Sequence, residues 1–92
     1  MSDRMVVRGD LDFEARRLFI ASASAVIDKV EGHIDLDCAQ LDRLDEGTLG
    51  MLVMIARNAQ RRGHRVVLDM ASKRVRHDLD DAGVSYLFAA SA

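Results

Sequence analysis

Apolar and polar residues change rhythm several times along the chain, and each change marks an element. Met5-Val6-Val7 is a short apolar run closed by Arg8-Gly9-Asp10, which predicts a strand. Residues 13–30 then take helical spacing. Leu18, Ser22, Ala25 and Lys29 form one row and Phe19, Ala23, Val26 and Val30 the row beside it, with Lys29 at the margin. Asp10 and Asp12 compete to cap this helix, because an Asp side chain accepts a bond from a first-turn backbone N–H that has no partner in the helix. Glu31-Gly32 is expected to end it, with Gly32 in a left-handed conformation. Residues 33–38, His33-Ile34-Asp35-Leu36-Asp37-Cys38, alternate polar and apolar, the mark of a strand with one buried face.

After a loop at residues 39–43, in which Leu41 is expected to plug the core, comes an acidic turn, Leu44-Asp45-Glu46-Gly47-Thr48-Leu49-Gly50. It leads into an apolar helix over residues 51–62, with Asp45 and Glu46 at its mouth. Leu49, Leu52, Val53, Ala56 and Ala59 or Gln60 make one face of that helix. Met51, Met54 and Ile55 widen the face past half the circumference, so the helix is expected to be buried on more than one side. Arg57, Arg61 and Arg62 load its C-terminal half, where positive charge suits the helix dipole, and Gly63 stops it. Residues 64–70 form a strand with an apolar centre. Ser72 caps a short helix carrying Val75, Leu79 and Ala82, closed by Gly83. Val84, Tyr86, Leu87 and Phe88 are a last apolar patch, either a strand or a tail laid on the core, and residues 89–92 are expected to fray. The order β-α-β-α-β-α, with a further β at the end, predicts an α/β fold with an at least partly parallel sheet and helices packed on it. The chain has no internal repeat and no linker, so residues 1–92 are expected to form one domain.

Composition narrows the function. A net charge of −2 and a pI near 5.8 argue against a nucleic-acid footprint, which would be basic. Three Phe, one Tyr and no Trp make poor stacking platforms for single strands. The lone Cys38 excludes an internal disulfide and fits a reducing compartment; its apolar position in the strand points to the core. No long apolar run follows Met1-Ser2-Asp3-Arg4, and none reaches the roughly 18 residues of a spanning helix. No signal peptide and no membrane insertion are therefore expected, and the cytoplasm is the default address. Proline is absent, which leaves glycine to punctuate the chain.

Catalytic parts are missing. His33, His64 and His77 fall on different elements without metal-ligand spacing, so no metal is expected. The chain has no nucleophile elbow, and Gly47 and Gly50 are not followed by the Lys-Ser/Thr of a phosphate-binding loop. An enzyme is not expected, and neither is a cofactor. Lys73, Arg74 and Arg76 give the third helix a small basic face, ordinarily a solvated surface and otherwise a contact for a partner or a phosphate. The carboxylates are more informative. Asp10 and Asp12 follow the first strand, Asp37 ends the second, and Asp45 and Glu46 open the second helix. Function in open α/β sheets gathers beyond the carboxyl ends of the strands, so these five acids are expected to share one rim. Capping and solubility account for them equally well. A docking rim is the sharper reading, ahead of a weak divalent-cation site.

Four segments also carry a resemblance. Gly9-Asp10-Leu11-Asp12, Ile34-Asp35-Leu36-Asp37, the acidic turn at residues 44–50, and Val75-Arg76-His77-Asp78-Leu79 through Gly83 to Leu87-Phe88 together resemble the STAS domain of anti-sigma factor antagonists. The acidic turn is similar to that family's Asp-Ser-Ser/Thr-Gly-Leu-Gly motif. The resemblance implies a mixed sheet of four or five strands with helices mainly on one face. It also implies reversible binding to a bacterial partner-switching anti-sigma factor, often a serine kinase, and so a role in transcription regulation. The implied contact and switch residues are Asp12, Asp37, Asp45, Glu46, Gly47 and Thr48. A homodimer stays open, as does a different role as an accessory subunit of a transport or stressosome-type assembly.

The family's phosphorylated Ser is replaced here by Glu46, its next Ser or Thr by Gly47, and its Gly by Thr48. A phosphoserine carries about −1.5 to −2 charge, and a carboxylate carries about half of that at the same helix end. Glu46 is thus either a standing imitation of the phosphorylated state or simply a favourable first-turn residue. Thr48 is the nearest hydroxyl that remains as an alternative phosphorylation site.

Overall fold

The computed structural model describes residues 2–90, and the side chains of residues 3–89. Its elements are β1 (Ser2–Val6), α1 (Phe13–Lys29), β2 (His33–Asp37), α2 (Glu46–Arg61), β3 (Arg65–Asp69), α3 (Lys73–Asp81), a 3-10 turn (Ser85–Leu87) and β4 (Ala89–Ala90). The sheet runs β1-β2-β3-β4 and all three pairings are parallel. Three strands of five residues carry it, and β4 adds only two residues beside β3. Of the expected mixed sheet of four or five strands, the described residues form four, the last very short, and the mixed character is corrected to parallel. Parallel neighbours need a crossover connection, and every connection among the described residues is a helical one.

A chain that steps the same way across a parallel sheet by right-handed crossovers lays all its helices on one face. The burial pattern agrees. Ile34, Leu36, Val66 and Leu68 are buried under the helices, while His33, Asp35, Asp37, Val67 and Asp69 on the alternate positions stay partly exposed. Parallel sheets usually have both faces covered. Here the open face is polar, and Arg4 crosses it to Asp37 at 3.1 Å and Asp69 at 2.6 Å, tying three adjacent strands.

The core lies between the sheet and α2. Met51, Leu52, Ile55, Ala56 and Ala59 are all buried there, as the wide apolar face predicted, whereas Met54 is exposed. Leu41 plugs the core from its loop. Cys38 is fully buried, and burial, then the nearby Asp37 and Asp69 charges, push its thiol pKa up to about 11.

Four local expectations are revised. β1 begins at Ser2 rather than Met5, because an edge strand takes polar residues that an apolar run does not reveal. Only one row of α1 faces inward: Ala23, Ile27 and Val30 are buried, while Leu18, Ser22, Ala25 and Lys29 are exposed. α1 ends on an extended Val30, so Gly32 is not needed in a left-handed conformation; the glycines that take it are Gly63 and Gly83, which close α2 and α3. Ala89 and Ala90 pair with β3 instead of fraying, and residues 91 and 92 lie outside the described residues.

Candidate functional site

The starts of α1 and α2 lie side by side at the carboxyl end of the sheet. Asp12 settles the competition to cap α1, accepting the Ala15 N–H at 2.8 Å. Asp45 caps α2, accepting the Thr48 N–H at 2.7 Å, so that α2 begins five residues before the apolar run that predicted it. The Thr48 backbone bond, followed by a bond from its side chain, holds the Asp45 carboxyl below the usual range. Burial opposes this, and the Arg16 charge adds to the lowering.

Arg16 joins the two helix starts. It donates to the Leu11 carbonyl at 2.7 Å, and its guanidinium lies against Gly47. A Cβ at position 47 would meet Arg16 Cζ at 2.6 Å, so a side chain there would displace the guanidinium from this seat. α3 contributes from the other side, since Asp78 accepts the Leu44 N–H at 3.0 Å and fixes the turn that leads into α2. Neither Arg16 nor Asp78 was singled out from the sequence as a site residue. Arg16 gives no local signal, because its value lies in what Gly47 leaves empty. Asp78 stands in a segment that carries the resemblance, but its partner is 34 residues away.

Of the expected site residues, Glu46 is exposed on the first turn of α2, and Asp12 and Asp45 flank it as caps. Thr48 is 1% exposed. Asp10 and Asp45, with Arg8, Gly9, Gln40, Asp42 and Arg43, line a shallow depression of about 520 Å³. Asp10 pairs with Arg8 at 3.4 Å, which lowers its carboxyl pKa. Asp37 does not join this group. Its carboxylate pairs with Arg4 on the open sheet face and accepts the Ala39 N–H at 2.9 Å. Of the five acids expected to share one rim, strand alternation turns Asp37 toward the open face, while Asp10 and Asp45 share the depression. Phe13, overlooked in the sequence, stands 68% exposed beside Asp12 at the same rim.

Among the described residues the strand order never reverses, so the sheet has no switch point at which helices diverge. Among the described residues, no three His, Cys, Asp or Glu side chains are placed to hold a metal, and no helix is long and apolar enough to cross a membrane. What the rim offers is a set of carboxylates, with Arg8 and Arg43 among them, beside one exposed aromatic ring.

The family model described as Mlab, STAS domain, matches residues 1–91. A search of the curated proteins finds no match. Among solved structures, the solution structure of TM1081 has a TM-score of 0.81 at 18% identity, covering 96% of this chain and 71% of that one. The crystal structure of the same Thermotoga maritima protein, described there as a candidate anti-sigma factor antagonist, has a TM-score of 0.75 at 19% identity, covering 96% and 78%. The anti-sigma factor antagonist SpoIIAA in its unphosphorylated form has a TM-score of 0.75 at 20% identity, covering 99% and 80%. At these identities the structural likeness speaks for the fold, while the family match spans nearly every residue, and the chain belongs to the STAS domain family.

Proposed function

We propose that this chain is a regulatory interaction module of the anti-sigma factor antagonist type, and that the start of α2 is its docking surface. The observation that carries the reading is Glu46: an exposed carboxylate on the first turn of α2, directly after the capping Asp45. SpoIIAA, similar in fold, is described in an unphosphorylated form, which implies a phosphorylated one. In this chain the corresponding charge is built into the sequence. Glu46 stands for the phosphorylated residue and disfavours a partner that prefers the neutral form. Such a like-charge or desolvation penalty reaches several kcal/mol at an interface, enough to set whether binding is seen at all. Phe13 supplies an apolar anchor, and Asp12, Asp45, Gly47 and Thr48 hold the geometry around it. Asp37 acts at one remove, through Arg4 and the loop after β2.

The proposed partner is an anti-sigma factor or a related serine kinase, met in the cytoplasm, and the module itself performs no catalysis. A second reading, an accessory subunit of a transport or stressosome-type assembly, is favoured by the lack of a hydroxyl at position 46 and the burial of Thr48. A subunit held permanently in an assembly needs no phosphate acceptor.

The two readings separate when the purified chain is titrated, as an isotope-labelled sample, with the anti-sigma protein encoded nearest its gene and with the nearest transporter ATPase subunit. The first reading expects saturable amide shifts at residues 10–16 and 44–50 with the anti-sigma protein. Shifts there with the transporter subunit alone favour the second. Shifts confined to the far end of α2 contradict both.

A further inference from the structure

A second cleft opens at the same end of the sheet but on the far side of α2, between the end of β3, α3 and β4. It has a volume of about 560 Å³, within the range of small-ligand sites. Leu68, Leu79, Phe88 and Ala71 give it apolar walls, and Met70 stands at its mouth. Met70 is 65% exposed and has a φ of 59°. Left-handed backbone is unfavourable for a long side chain and uncommon outside glycine, asparagine and aspartate. A flexible thioether is thus held in the open at a cleft mouth, where it can adapt to what enters.

The charges in the cleft are unequal. Two carboxylates line it, and both are engaged: Asp69 by Arg4 at 2.6 Å, and Asp80 by the Ser85 hydroxyl. The one cation in the lining, Arg76, makes no side-chain hydrogen bond or ion pair among the described residues. Lys73 and Arg74 stand in the first turn of the same helix, whose Asp78, Asp80 and Asp81 lie in its second half. Asp80 keeps its charge but has a donor in Ser85, so among the described residues the one charged side chain of the lining left without a partner is Arg76, at the edge of an apolar hollow.

We infer that this cleft binds an amphipathic anion: one carboxylate or phosphate head on Arg76, and a compact apolar body against Leu79, Phe88 and Met70. An arginine fork matches both head groups, and the apolar wall excludes a bare inorganic ion. The site shares no lining residue with the depression beside Asp45, so it stands or falls independently of the docking surface.

The test is a titration of the labelled chain, followed by amide shifts, with octanoate, octyl phosphate, octylamine and inorganic phosphate, each below any micelle-forming concentration. The expected result is saturable shifts at residues 68–71, 76 and 85–89 with octanoate or octyl phosphate, the tighter of the two naming the head group. Arg76→Gln weakens that binding by at least about tenfold, while Arg74→Gln leaves it within about twofold. Both are exposed positions, so circular dichroism should show an unchanged fold. The inference is overturned if neither anion shifts these residues, if octylamine or inorganic phosphate binds as tightly, or if Arg76→Gln binds like the parent chain.

Discussion

Asp45 serves the helix and the surface with one carboxylate. Its bond to the Thr48 N–H starts α2, and Asp45→Ala should lower stability by about 1 kcal/mol at neutral pH. The sign of the pH dependence follows from the lowered folded pKa. The contribution is present above the ordinary value of 3.8 and is lost as pH falls through the depressed one. Urea denaturation of both forms should show a gap at neutral pH that closes in strong acid, and a constant gap would deny the cap its charge. Thr48 lies one turn in from solvent. Incubation with a partner-switch kinase and ATP should leave it unmodified by mass spectrometry, because a kinase would first have to unwind the start of α2. A phosphate mapped to Thr48 would show a switch moved to a new residue and would remove the case for Glu46 as a standing charge. The sequence displayed Asp45 and Glu46 openly, since acids before an apolar run announce a helix start. It did not display Arg16, whose contact with Gly47 depends on how two helices meet.

The second helix is the element on which the others are assembled. It packs on α1, on β3 and on the 3-10 turn, and Leu52 at its centre is fully buried. Leu52→Ala should lower stability by about 2–5 kcal/mol in chemical denaturation, and a loss below about 1 kcal/mol would mean that the helix does not lie over the sheet. The turn before it is a separate test. Asp78→Ala removes the acceptor of the Leu44 N–H and should cost about 1–3 kcal/mol, with exchange of the Leu44 amide accelerated. Unchanged exchange would show that α3 does not fix the turn. Elements with a strict period were legible in advance: β2 by alternation, α2 by its apolar face. Those set by their neighbours were not. β1 is polar because it is an edge, and α1 offered two plausible inward rows of which packing selected one.

Across the whole molecule, three crossovers in one direction leave the helices on one face, the strand ends and helix starts at one end, and the charged rim around the start of α2. The β-α alternation predicted an at least partly parallel sheet with helices packed on it, and the family resemblance put them mainly on one face; neither foresaw that the described sheet is parallel throughout or that Asp37 turns to the open face. On the proposed reading, a single charge at this rim decides partner affinity. Glu46→Ser removes the charge, supplies the hydroxyl and leaves an acceptable helix start. The decisive measurement is calorimetric titration of the parent chain and of Glu46→Ser against the anti-sigma protein encoded nearest the gene, with circular dichroism as the fold control. The serine form should bind at least about tenfold more tightly, roughly 1.4 kcal/mol. Equal or tighter binding by the parent chain would contradict the account and make Glu46 a contact residue paired with a cation of its partner.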